Sequence, residues 1–129
     1  MNSYFYAKEL KGSFDETIQT VTEELKKEGF GILTEIDVKE TLKKKLDVDF
    51  RKYRILGACN PPFAYKALQA EPNVGVMLPC NVVVQEKENG AIEVAAVDPL
   101  ASMKAIENPE LEKIAGEVRD KLKAVVDRL

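Results

Sequence analysis

Between Gly29 and Gly31 the spacing of apolar residues changes from that of a helix to that of a strand. On the N-terminal side Phe14, Ile18, Val21 and Leu25 recur at intervals of four, three and four, one stripe of a helix with about 3.6 residues per turn. Ser13 stands where a side-chain oxygen caps the first free N–H groups, and Glu16 three residues on completes the pattern of a capping box. Gly29 supplies the left-handed residue that ends such a helix. From Gly31 the period is two, with Ile32, Thr34, Ile36 and Val38 on one side and Leu33, Glu35 and Asp37 on the other. A helix with one apolar stripe needs a surface to cover, and a strand that follows it directly supplies part of one.

The same reading extends along the chain. Ser3 to Leu10, rich in Tyr and Phe and closed by Lys11-Gly12, is expected as a first strand. Val38 to Leu46 has the residues of a short lysine-rich helix. Lys52 to Cys59 predicts a strand with Tyr53, Ile55, Gly57 and Cys59 on one face, stopped by Asn60-Pro61-Pro62 because two prolines donate no ladder hydrogen bonds. A two-turn helix is expected over Phe63 to Ala70, ended by Pro72-Asn73. Strand segments are expected over Gly75 to Leu78 and Asn81 to Glu86, interrupted at Pro79. Glu88-Asn89-Gly90 is a hairpin signal into Ile92 to Val97. Asn108 caps the last helix and Pro109 takes its first position, where a missing N–H costs nothing. Leu111, Ile114, Ala115, Val118, Leu122, Val125 and Leu129 then hold one face. The layout is α+β: hairpin-connected antiparallel strands with two long helices on one face and short helical insertions. Val82-Val83-Val84 and Val94 to Val97 are apolar on both sides, which predicts a covered second face and a homodimer.

A chain of 129 residues fits a single domain spanning 1–129, since domains commonly hold about 100 to 150 residues. No segment approaches the roughly 20 consecutive apolar residues of a membrane span, and the first residues lack the plan of a signal peptide, so a cytoplasmic location is expected. Histidine is absent, which removes Ser-His-Asp and Cys-His schemes and the commonest metal ligand. The formal net charge of −3 argues against a nucleic-acid partner. One segment runs the other way: Lys39, Lys43, Lys44, Lys45, Arg51, Lys52 and Arg54 stand against Glu40, Asp47 and Asp49. Such a run is most often a solvated face, and an anion or nucleotide site is the functional alternative. Gly29-Phe30-Gly31 precedes a strand rather than following one, so it forms no dinucleotide fingerprint.

The two cysteines, Cys59 and Cys80, are each followed by asparagine and each lie beside proline. Cys59 ends one expected strand and Cys80 adjoins another, so both are expected at one end of the sheet. They read either as two small buried residues or as a thiol pair for redox chemistry. Without histidine they fall short of a four-ligand zinc site, and no metal is assigned. Asn60, Asn81 and the neighbouring prolines, Pro61 among them, suit a rigid concave rim, with Phe63 and Tyr65 placed to wall a pocket or to pack. The candidate ligand-binding set is therefore Cys59, Asn60, Pro61, Tyr65, Cys80 and Asn81.

At this stretch, "LGACNPPFAYKALQAEPNVGVMLPCNVVV", followed by "AVDP" and Met103, the sequence resembles the family called domain of unknown function 302. The resemblance covers nearly the whole chain, the opening strand and the Phe14 helix included. It implies a layout of the TATA-box-binding-protein class, a strand, a helix, four strands and a helix, or β-α-β(4)-α. It implies no activity, and a shared fold class is no argument for DNA binding. Three functions stay open on the residues alone. A small-molecule binding module at the cysteine stretch is favoured; a thiol-based redox protein or enzyme using Cys59 and Cys80, and anion binding through 39–54, are the alternatives.

Overall fold

The structure, a computed structural model, describes residues 4–129; Ser3, included in the expected first strand, lies outside them. Five strands form one antiparallel sheet in the order β1-β5-β4-β3-β2. They are β1 (Phe5–Leu10), β2 (Gly31–Asp37), β3 (Tyr53–Cys59), β4 (Cys80–Glu86) and β5 (Ile92–Val97). Strands β2 to β5 follow one another as a meander, and β1 pairs on the far side of β5, with Phe5 opposite Val97.

The long helices are α1 (Phe14–Lys27) and α5 (Pro109–Asp127). Ser13 Oγ accepts the Glu16 N–H at 3.1 Å, and Gly29 follows α1 with φ +86°. Asn108 Oδ1 accepts the N–H groups of Glu110 and Leu111 at the start of α5. Both helices pack on one sheet face, where Leu56, Val82, Val84, Ile92, Val94 and Ala96 are buried against Val21, Leu25, Leu122 and Val125. Burying that many apolar side chains is the main favourable term of the fold. Pairing register and strand alternation put Phe5, Ala7, Ile36, Ile55, Val83 and Ala95 on the opposite face, where all are half-buried except Ile36, which is exposed. The segment after β5, with its short helix α4 (Pro99–Ser102), packs on α5 rather than on that face.

Two local expectations are corrected. A register shift between Ile32 and Thr34 places Leu33 in a β-bulge. Ile32 therefore pairs with Ala58, whereas Thr34 pairs with Gly57 and Ile36 with Ile55, so Ile32 does not share a face with them; an inserted residue reverses the alternation beyond it. The segment Gly75 to Leu78 is no strand. Pro72–Met77 is a 3-10 helix opened by Pro72, which buries Val74 and leaves Val76 exposed. Two further helices occupy the connections, α2 (Val38–Leu46) and α3 (Pro61–Ala70), the latter beginning two residues earlier than expected because Pro61 and Pro62 fit the first turn. No helix among the described residues is long and apolar enough to cross a membrane.

Candidate functional site

Strand β3 ends at Cys59, Asn60 turns the chain, and α3 carries it back to the 3-10 helix and into β4 at Cys80. This return leaves a space between the strand ends, α3, the 3-10 helix, α4 and the first half of α5. It is a cavity of about 350 Å³, with Ala58, Phe63, Ala67, Leu78, Met103, Ile114 and Val118 among its walls. Cys59, Asn60 and Cys80 border it as well, and among the described residues no charged side chain does.

Cys80 lies directly opposite Ala58, one register position from Cys59. Strands about 4.8 Å apart with a rise of about 3.3 Å per residue set the two α-carbons about 6 Å apart, inside the roughly 7 Å limit for a disulfide. Alternation along the ladder, however, points the two side chains to opposite sides of the sheet. Cys80 reaches the cavity from the helix-covered face, and Cys59 at the point where β3 turns into α3. Both are free thiols. Burial, and then the neighbouring Cys59, push the Cys80 thiol up to about 11, so near neutral pH it stays protonated and is a poor nucleophile.

Asn60 is 8% exposed and sits at the N-cap of α3 without capping it. Its Nδ2 donates instead to the Glu28 carbonyl at 3.0 Å, joining the end of α1 to the start of α3. Asn108 makes a similar link at the start of α5, its Nδ2 donating to the Ala70 carbonyl at the end of α3 at 2.8 Å. A close approach on the outer face supports the same corner. A Cβ on Gly57 would stand 2.7 Å from Pro79 Cγ and collide with the Thr34 hydroxyl, so the glycine is what admits Pro79 against β3.

The remaining candidates lie elsewhere. Pro61 is exposed in the first turn of α3, Tyr65 is 66% exposed, and Asn81 is exposed opposite Gly57 on the outer face. Met103, Ala67, Ile114 and Val118 were not singled out as wall residues, because a helical stripe that lines a cavity has the same periodicity as one that fills a core. Three of the seven cations of the basic segment are ion-paired. Lys43 pairs with Asp47 at 3.0 Å and Asp49 at 3.5 Å, Lys44 with Glu40 at 3.7 Å, and Arg54 with Glu35 at 2.6 Å. Lys39 Nζ donates to the Phe50 carbonyl and Arg51 Nε to Gln85 Oε1. Among the described residues no group of three or more His, Cys, Asp or Glu side chains is placed to hold a metal ion.

Comparison with curated proteins gives no match. Among solved structures, an uncharacterised conserved DUF302 protein from Bacillus stearothermophilus is similar, with 34% identity over 97% of each chain and a TM-score of 0.90. The family model described as "Domain of unknown function DUF302" matches residues 6–129, which include both cysteines, the α3 return and every helix and strand but the first residue of β1. On that match and the shared fold, the chain belongs to the DUF302 family.

Proposed function

We propose that the protein binds a small molecule in the cavity beside Cys59, Asn60 and Cys80. What supports this most is the wall itself: about 350 Å³ of space lined by apolar side chains and open on one side, with one carboxamide and two thiols as its polar side-chain groups. Small-molecule sites commonly take this form, with volumes of roughly 300 to 1,000 Å³ and few polar anchors. An efficiently packed core would leave no such space. Naphthalene, which has no polar group, is a suitable first probe. In 15N–1H NMR it is expected to shift amides of α3 and of the first half of α5, and Ala67→Trp, which fills the space, should abolish those shifts. Shifts that are absent in the wild type, or that survive in a folded Ala67→Trp, overturn the reading.

The thiol-redox alternative is weaker on this geometry. A thiol raised to about 11 is not activated. Anion binding through 39–54 is weaker too, because three of its seven cations are ion-paired and two more donate to neutral oxygens. A homodimer is part of the same proposal: Phe5, Ala7, Ile55, Val83 and Ala95 leave an apolar outer face that a second copy would shield. The element order, with α2 and α3 as insertions, supports a TATA-box-binding-protein-like layout, which carries no inference to DNA.

A further inference from the structure

The polarity of the cavity's one strong anchor restricts what can occupy it. A carboxamide has a donating end and an accepting end, and only its nitrogen can serve a carbonyl. Because Nδ2 of Asn60 donates one of its two N–H groups to the Glu28 carbonyl at 3.0 Å, the orientation of the group is fixed, and Oδ1 is the end left with no partner at all. Oδ1 accepts no hydrogen bond from any described residue. It is not sealed off either: among the described residues the only fully occluded side-chain polar atom without a partner is Arg54 Nε, on another part of β3. Asn60 as a whole is 8% exposed and borders the cavity. An acceptor in this position gains little from a second acceptor, and a ligand acceptor placed beside it would lose its water without replacement, which is costly.

Charge is excluded by a separate observation. No Lys, Arg, Asp or Glu side chain borders the cavity, and moving an ion out of water into apolar surroundings is heavily penalised unless it is paired. Lys66 on α3 and Lys121 on α5 lie with their Nζ atoms 5.8 Å from the Phe63 ring centroid and are not among the wall residues. The Cys80 thiol adds no charge, since its burial holds it protonated.

We propose that the cavity selects an uncharged, mainly apolar molecule that donates one hydrogen bond, received by Asn60 Oδ1. The inference rests on the cavity being a binding site, and the test separates the two. Indole and quinoline are flat bicycles of similar size and lipophilicity; the first offers only an N–H donor and the second only a ring-nitrogen acceptor. Titrated into the full-length wild-type protein and followed by 15N–1H NMR, indole is expected to bind about five- to tenfold more tightly than quinoline, the range of one net hydrogen bond. It should also move the Asn60 side-chain amide resonances, and indole-3-carboxylate should bind more weakly than indole. Quinoline binding as tightly as indole, or the carboxylate binding more tightly, overturns the selectivity while leaving the cavity reading intact if naphthalene still binds. If none of these probes nor naphthalene shifts the cavity amides, the binding site itself is wrong and the selectivity falls with it.

Discussion

Asn60 and Cys80 show how a side chain near a candidate site can be occupied by the fold. The sequence places both beside proline at a turn, and each reads as a rim group. In the structure the Asn60 nitrogen is committed to Glu28, 32 residues earlier, a partner that no local pattern reveals. Cys80 is committed by burial, which raises its thiol from 9.0 to about 11. Below about pH 9 the thiol is protonated in both the folded and the unfolded chain. Above it the unfolded chain loses its proton first, so folded-state stability falls as pH rises through about 11. A shift of this size corresponds to about 2 to 3 kcal/mol. Cys80→Ala is therefore expected to lose less stability than the wild type between pH 8 and pH 11 in urea unfolding, and identical losses would show that the thiol is not buried as described. At pH 8 one thiol should react quickly with a colorimetric reagent and Cys80 only after denaturation. Two fast thiols in the native protein would contradict this.

At the scale of elements, the long helices were legible because both signals coincide there: an apolar stripe of several turns and a cap at each start. Leu122 is the clearest test of the second, since it is 1% exposed in the middle of the α5 stripe. Leu122→Ala is expected to destabilise the protein by about 2 to 5 kcal/mol, through lost burial and the cavity left behind. A change below about 1 kcal/mol in urea unfolding would mean that α5 is not docked on the sheet. The short elements were less legible. Gly75 to Leu78 carries apolar residues in a row, which fits a strand, yet Pro72 starts a 3-10 turn that needs only one buried anchor, Val74. The bulge at Leu33 left no mark in the sequence, because an inserted residue changes the register without changing the residue types. The site inherits this limit. Its strand-end residues could be named beforehand, whereas the walls contributed by α5 could not be told from core.

For the whole molecule, the antiparallel layout with both long helices on one face followed from the succession of periods, whereas the pairing of β1 with β5 did not, and the face left outside remained a matter of apolar composition alone. Light scattering is expected to give twice the 14.4 kDa chain mass at micromolar concentration. Val83→Lys, on the outer face, should return the monomer with helical circular dichroism unchanged; a monomeric wild type would instead leave Phe5, Ala7 and Ile55 open to water. The pairing of β1 has a kinetic consequence of its own. Strands β2 to β5 each find a neighbour next to them in the chain, but β1 pairs only with β5, and Ala7 meets Ala95 after about two thirds of the chain has intervened. Closing so long a loop is entropically slow to be rewarded, so the meander should form the folding nucleus and β1 should join after the rate-limiting step. Ala7→Gly is then expected to speed unfolding and leave the refolding rate nearly unchanged in stopped-flow experiments. Slower refolding in proportion to the lost stability would place the first strand inside the nucleus, and the sheet would have to assemble from both ends of the chain at once.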